Sequence, residues 1–292
     1  MRYGTPYKGS KNFIAQWICD TLPKAENFYD LFAGGCAVTH AAMLSGKYKH
    51  FYANDIDVAP QLFYDAINGK YKNETRWISR EDFRRLKDTD AYVRYCWSFG
   101  NNGNHYLYSK EVEPWKKALH YARVLNDFSL LNEIGIDTKD ASRIWIKAHS
   151  KECKEKYIKW YCKAVSLESL QRLQSLEISQ KDYREIEIKE NSVIYCDIPY
   201  RNTNGYAVEF DYEAFYDWCE KQTALVVVSE YAMPEERFIR VASKEKRQTL
   251  NGKGSGRVVE EGLFIPKGQE EQWQEMTGSA KAETVQLELI AV

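Results

Sequence analysis

The spacing of apolar residues changes several times along the chain, and each change marks an element. Phe13, Ile14, Trp17 and Ile18 recur at the spacing of one helical face, with Ser10 placed to cap the helix and Pro23 to end it. Asn27-Phe28-Tyr29-Asp30-Leu31-Phe32 is instead a short apolar run, the pattern of a buried strand. Ala33-Gly34-Gly35 turns the chain, and Cys36 to Leu44 reads as an Ala-rich helix. Lys49 to Ala53 is a second strand running into Asn54-Asp55-Ile56-Asp57, and a further helix is predicted over about Ala59 to Asn68. Strand, turn, helix, strand is a βαβ unit and predicts an α/β fold with a parallel sheet.

From about Lys70 to Val165 this rhythm gives way to helical patterns around one aromatic and Asn-rich stretch, Tyr95 to Tyr108. Residues 70–165 are read as an inserted lobe in a domain built from 1–69 and 166–292. The α/β rhythm returns with a helix over Leu167 to Leu176, the strands Glu177–Ser179 and Ser192–Cys196, a helix over Tyr212 to Lys221, and the apolar strand Ala224–Ser229. Ile239–Val241 and Val258–Ile265, separated by the glycine-rich loop Asn251–Gly256, predict a terminal antiparallel pair. The Gln/Glu-rich segment after Lys267 is expected to be a peripheral or frayed end.

A chain of 292 residues with 44% hydrophobic and 28% charged residues can bury a full core, and that balance excludes collagen-like and broadly disordered classes. No apolar run approaches the roughly 18 residues of a membrane span, and the N-terminus lacks a secretory apolar region, so a cytoplasmic location is expected. Seven scattered Cys without a C-x-x-C pair and five His without ligand spacing predict neither a disulfide framework nor a metal site. The net charge of -1 hides an asymmetry: residues 70–163 hold 20 basic and 13 acidic side chains, the remainder 21 and 29. A basic lobe beside an acidic domain fits a partner with a phosphate backbone, although a solvated helix face has the same composition.

Ligands of open α/β sheets bind beyond the carboxyl ends of the strands. The first such end, Asp30 to Gly35, offers glycines that let backbone approach a ligand, followed by a helix N-terminus. Asp55 and Asp57 follow about 20 residues later, the spacing of a ribose-binding carboxylate, with helix capping as the alternative. Together these point to a nucleoside-bearing cofactor. No P-loop Lys-Ser/Thr follows the glycines, which disfavours ATP hydrolysis; a nicotinamide cofactor stays open. The sharper signal is Asp197-Ile198-Pro199-Tyr200 at a strand terminus. There a ring can stack on a planar base while Asp197 and the Ile198 carbonyl accept both hydrogens of an exocyclic amine.

In this order of motifs, from Tyr3 to about Ile265, the sequence resembles the Dam-type DNA adenine N6-methyltransferases. Tyr7-Lys8-Gly9-Ser10-Lys11 is similar to the family's N-terminal motif, implying cofactor contacts from Tyr7 and Lys11. Asp30, Phe32, Ala33, Gly34 and Gly35 match its glycine loop, with adjacent glycines where the family spaces them. Asp55 matches the ribose-binding acid, and Asp182-Tyr183 the motif that reads the cofactor's adenine. Asp197 to Tyr200 match the catalytic Asp-Pro-Pro-Tyr, with Ile198 in place of the first Pro; related protein-glutamine methyltransferases tend to carry Asn where Asp197 stands.

The resemblance implies a Rossmann-like sheet of seven strands, S-adenosyl-L-methionine as cofactor, no metal, double-stranded DNA as substrate, and a target-recognition role for the lobe. Arg84, Arg85, Arg94, Lys110, Lys116 and Lys117 are then candidates for phosphates. Asn101, Asn102 and Asn104 are candidates for base edges or for the space left by a flipped base. The alternatives are core packing for Trp97, Phe99 and Tyr106 and turn formation for the asparagines. Two other readings remain: a DNA-binding protein of this fold without activity, and a nucleotide-cofactor enzyme acting on a small molecule. The recognised DNA sequence and any restriction endonuclease partner are not legible.

Overall fold

The computed structural model describes residues 3–135, 175–199, 210–248 and 257–278. The strands β1 (Asn27–Asp30), β2 (His50–Asn54), β3 (Leu176–Ser179), β4 (Ser192–Cys196), β5 (Leu225–Glu230), β6 (Phe238–Gln248) and β7 (Arg257–Pro266) form one sheet. Their order is β3-β2-β1-β4-β5-β7-β6. The first five run parallel, and β7 pairs antiparallel with β5 and β6. This is the predicted α/β class, with its parallel core, seven strands and terminal antiparallel pair.

β1, β4 and β5 are buried along their whole length, which is why their sequences read as apolar runs rather than alternations. On one face Phe28, Phe51, Val193, Tyr195, Leu225 and Val227 pack with residues of α1 (Ala15–Thr21), α2 (Ala37–Ser45) and α3 (Ala59–Ile67), among them Ile18, Ala41, Leu62 and Phe63. On the other, Tyr29, Leu31, Ile194, Cys196, Val226 and Val228 pack with Phe215, Tyr216 and Cys219 of a helix over Tyr212–Glu220. Each such large side chain contributes about 1.5–3 kcal/mol by leaving water, so the two layers hold the strand ends firmly in place.

Between α3 and β3 the described helices are α4 (Arg80–Leu86), α5 (Ala91–Cys96), α6 (Glu113–His120) and α7 (Ser129–Glu133). Ser79 caps α4 by accepting from the Asp82 amide, and Asp90 caps α5 by accepting from Tyr92 and Val93. Apolar residues from Tyr71 to Tyr106 join the cluster on the first face of the sheet, whereas Ala118, Leu119, Ala122 and Leu131 form a small core of their own. The helix over Tyr212–Glu220 is α8, and α9 spans Glu270–Thr277.

Three local expectations are corrected. Ser10 does not cap the first helix: α1 starts at Ala15, because the chain at Lys11 is drawn toward the sheet, and the Lys11 carbonyl accepts from the Ile14 and Ala15 amides. The segment after Lys267 is not frayed up to Gly278. The Gln269 side chain accepts from the Val226 amide and donates to the Gln222 and Ala224 carbonyls, pinning α9 to the edge of the core, where Trp273 and Met276 pack. Leu176 opens a strand rather than ending a helix, and the rest of the helix predicted from Leu167 lies outside the described residues, as does the loop Asn251–Gly256.

Candidate active site

The strand order reverses between β1 and β4, with β2 and β3 to one side and β5, β7 and β6 to the other, so the chain leaves these two strands in opposite directions and opens a crevice at their carboxyl ends. The Leu31 amide donates to the Tyr195 carbonyl at 3.1 Å, keeping the two ends level. Side chains alternate along β4: Val193 and Tyr195 face the first cluster, which directs Asp197 to the same side and Ile198 to the other.

Asp197 meets Lys11. The Lys11 ammonium donates to Asp197 Oδ1 and lies 3.4 Å from Glu261 Oε1 on β7, and Ser229 Oγ at the end of β5 donates to the same Glu261 oxygen at 2.6 Å. Lys11 and Glu261 are buried. Burial pulls the Lys11 pKa down, but the charges and hydrogen bonds of Asp197 and Glu261 more than offset it and raise the ammonium above its ordinary value.

Further carboxyl groups surround this pair. Asp30 accepts from the Thr39 amide and hydroxyl at 3.2 and 2.7 Å, satisfying the first turn of α2, while its Oδ1 is buried without a hydrogen-bond partner. Burial lifts its pKa to about 7, against the pull of Thr39 and with the charge of Asp197 adding to the rise. Asp55 accepts from the Asp57 and Gly34 amides at 2.9 and 2.8 Å, and burial lifts it to about 6. Glu230 accepts from the Tyr231 amide at 2.7 Å and keeps a buried Oε2 without a partner; burial raises its pKa to about 8.

The glycine turn serves the chain's own N-terminal segment. A Cβ on Gly34, whose φ is +47°, would fall 2.7 Å from the Tyr7 ring, and one on Gly35 would fall 2.7 Å from the Thr5 carbonyl oxygen. The Thr5 amide donates to the Gly35 carbonyl at 2.7 Å. His40 Nδ1 accepts from the Gly4 amide at 3.0 Å, with burial pulling the imidazole to about 4 and keeping it neutral. The doublet therefore lets Thr5 to Tyr7 cross closely, which carries Lys11 toward Asp197.

Phe32 meets Tyr183, Phe210 and Phe215 with ring centroids 5.3, 5.7 and 5.7 Å apart. The Asn54 side chain, which no motif singled out, donates to the Leu31 and Lys181 carbonyls and accepts from the Lys181 amide, joining the ends of β1 and β2 to the loop before Asp182. Asp182 itself caps the turn Tyr183–Glu185 and holds Arg184 with two hydrogen bonds of 2.8 and 2.6 Å. Ile198 is 2% exposed and fills the second apolar cluster. The Pro199 carbonyl accepts from the Tyr212 hydroxyl at 2.9 Å, so α8 anchors this loop. Tyr200 lies outside the described residues.

The candidates for nucleic acid divide by exposure. Arg84, Arg85, Asn104 and Lys110 are exposed, with Arg85 paired to Asp82 at 2.6 Å. The ammonium groups of Lys116 and Lys117 lie over the Tyr108 and Tyr121 rings. Arg94 is committed to Asp57 at 3.0 Å and Asp88 at 3.4 Å, tying α5 to the end of β2. Asn101, at φ +57°, donates to the Tyr95 carbonyl and accepts the Lys8 amide on its own carbonyl. Asn102 accepts from the Asn104 and His105 amides, so both asparagines build the loop. Trp97 and Tyr106 are core, whereas Phe99 is 67% exposed.

Among the described residues no group of His, Cys, Asp and Glu is arranged to hold a metal ion, and no helix is long and apolar enough to cross a membrane. A largely parallel sheet of this order, with a carboxylate beside its switch point, is the Rossmann-like architecture of methyltransferases. The chain belongs to the D12 class N6 adenine-specific DNA methyltransferase family, which it matches over residues 7–236, and it is a DNA methyltransferase by that membership. Among solved structures it is similar to a candidate RNA methyltransferase from Pyrococcus horikoshii at 8% identity and a TM-score of 0.39, covering 89% of this chain and 86% of that one. It is also similar to a conserved hypothetical protein of Streptococcus pyogenes at 11% identity and a TM-score of 0.33, covering 89% and 96%. A candidate methylase of Haemophilus influenzae matches at 13% identity and a TM-score of 0.29, covering 87% and 94%. No curated protein matches the chain.

Proposed function

We propose that the protein transfers a methyl group from S-adenosyl-L-methionine to the N6 amine of adenine in double-stranded DNA. The observation that carries this reading is Asp197, held by the buried Lys11 ammonium at the end of β4 beside the acidic end of β1. S-adenosyl-L-methionine, when bound, supplies a methyl group on a sulfonium cation. The residues fit such a group: the buried Asp30 Oδ1 without a partner and the surplus of carboxyl groups suit a ligand bearing an ammonium and a sulfonium, and Phe32 and Tyr183 suit its purine. Asp30, Asp55, Phe32 and Tyr183 are the residues we assign to hold it.

Adenine N6 is a poor nucleophile because its lone pair is delocalised into the ring. Asp197 and the Ile198 carbonyl accept its two N–H bonds, which favours tetrahedral geometry and frees the lone pair for attack on the methyl carbon; as the C–N bond forms the methyl–sulfur bond breaks, a neutral thioether leaves, and one N6 proton is lost to solvent. Lys11 holds the Asp197 carboxylate in place. The target adenine must leave the duplex to reach this point. In this reading Tyr200 stacks on the extruded base and exposed Phe99 fills the gap it leaves, on a loop joined to the N-terminal segment through the Asn101–Lys8 hydrogen bond. Arg84, Arg85, Lys110, Lys116 and Lys117 neutralise phosphates.

The test is transfer of a tritiated methyl group to unmethylated genomic DNA followed by nucleoside analysis. Label in N6-methyldeoxyadenosine is expected; label confined to another nucleoside, or no label, contradicts the assignment.

A further inference from the structure

Glu261 lies beyond the segment that matches the family and in none of the motifs, yet it is buried at the centre of the site's charge network. Its neighbour Glu260 faces outward and pairs with Arg240 and Ser243 at 3.1 and 2.5 Å, as an ordinary strand-surface carboxylate does. Glu261 faces inward, accepts the Ser229 hydroxyl at 2.6 Å and lies 3.4 Å from Lys11 Nζ. Lys11 thus stands between two carboxylates, one on the loop after β4 and one on β7. Burying a carboxylate costs several kcal/mol unless it is paired, and Glu261 is paired with the same cation that holds Asp197.

We propose that Glu261 is a positioning residue for the methyl-transfer site, holding Lys11 between itself and Asp197 so that Asp197 keeps acceptor capacity for the substrate amine. Without Glu261, the Lys11 N–H bond now turned toward it is free to turn to Asp197 and compete with the adenine N–H groups for the same oxygens. With Glu261 opposite, the ammonium is shared. Ser229 fixes which way the Glu261 carboxylate faces, and its place on β5 between β4 and β7 sets the spacing of the two acids. Glu261 touches neither substrate nor donor and acts through Lys11. The inference rests on the reading of Asp197 as the amine acceptor.

The experiment compares wild type with Glu261→Gln, Glu261→Asp and Ser229→Ala. Lys11 is titrated by side-chain nitrogen NMR in the protein alone, donor affinity is measured by calorimetry, and kcat is followed against pH on DNA. Removing the Glu261 charge takes away one of the two carboxylates that raise the Lys11 pKa, so Lys11 in Glu261→Gln titrates at lower pH than in wild type. The alkaline limb of kcat moves the same way, kcat falls about tenfold or more, and donor affinity holds. Glu261→Asp restores part of both.

A folded Glu261→Gln protein whose Lys11 titration and alkaline limb match wild type overturns the proposal. Should that variant fail to fold, Ser229→Ala keeps the charge and loses only its orientation; lowered kcat with unchanged donor affinity supports the proposal, and unchanged kcat overturns it. Inactivity of wild type on DNA would contradict the methyltransferase reading, while the Lys11 titration, which needs neither DNA nor donor, still decides the coupling.

Discussion

At the carboxyl end of the sheet the charges lie inside the protein; along the helices after α3 they lie outside it. Lys11, Asp30, Asp55, Glu230 and Glu261 are buried, and each makes a defined hydrogen bond. Arg84, Arg85 and Lys110 reach solvent, while the interior beneath them is aromatic: Tyr92, Tyr95, Trp97 and Tyr106. An exposed ion pair is worth about 0–1 kcal/mol, whereas breaking a buried one costs about 3–5 kcal/mol. The strand ends are therefore sensitive to single atoms, as a site that must aim one amine requires. The helical segment can change its charges one at a time, as a surface that tracks a backbone requires.

The sharpest way to break this contrast is to remove the ion at its centre. Lys11→Ala leaves the buried Glu261 and the half-buried Asp197 without this cation and is expected to lower stability by about 3 kcal/mol and abolish transfer. Chemical denaturation showing a loss under about 1 kcal/mol would place this pair among ordinary surface bridges.

The pH dependence of stability tests the burial of the acids. With folded-state values near 7 for Asp30 and 6 for Asp55, the folded protein retains protons that the unfolded chain releases near pH 4. Their contribution is fully present below about pH 4 and is lost as pH rises through about 6 and 7, with a slope of at most about 1.4 kcal/mol per pH unit per group. Asp30→Asn is expected to flatten the profile over that window; an identical profile would show that Asp30 does not carry its proton in the folded state.

On the exposed side the effects are smaller. Phe99→Ala is expected to weaken base extrusion about tenfold, read as reduced 2-aminopurine fluorescence at the target position, without changing thermal stability. An unchanged signal would remove Phe99 from the interface. Smallest of all, Lys110→Ala should weaken DNA binding uniformly across sequences and reduce the salt dependence by about one phosphate contact. A loss confined to one sequence would instead make Lys110 a base reader.

The strands and their acidic ends were legible because a buried parallel sheet imposes apolar runs and because Asp30, Asp55 and Asp197 all end such runs. Glu261 was not. Glu260 and Glu261 are adjacent in sequence and chemically alike, and only the register against β5 and β6 decides which faces the core. The roles of Tyr212 and Asn54 were invisible for a related reason: they bond mainly to backbone groups, which every residue carries. In the helical segment the asparagine-rich loop was readable as a loop, but the division of labour between Asn101 and Asn102, which shape it, and Phe99, which leaves it, depends on backbone conformation that composition does not encode. Arg94 shows the same limit: a basic residue in a basic segment is held by Asp57 from the other side of the molecule's charge divide.

The most direct test of the central claim compares Asp197→Ala with wild type in two assays, donor affinity by calorimetry and single-turnover methyl transfer to adenine. Removing one preorganised hydrogen-bonding group from an active site typically costs about 10²–10³ in rate. A loss of transfer at least that large is expected for Asp197→Ala, with donor affinity within a few-fold of wild type. Transfer persisting near the wild-type rate would contradict the claim.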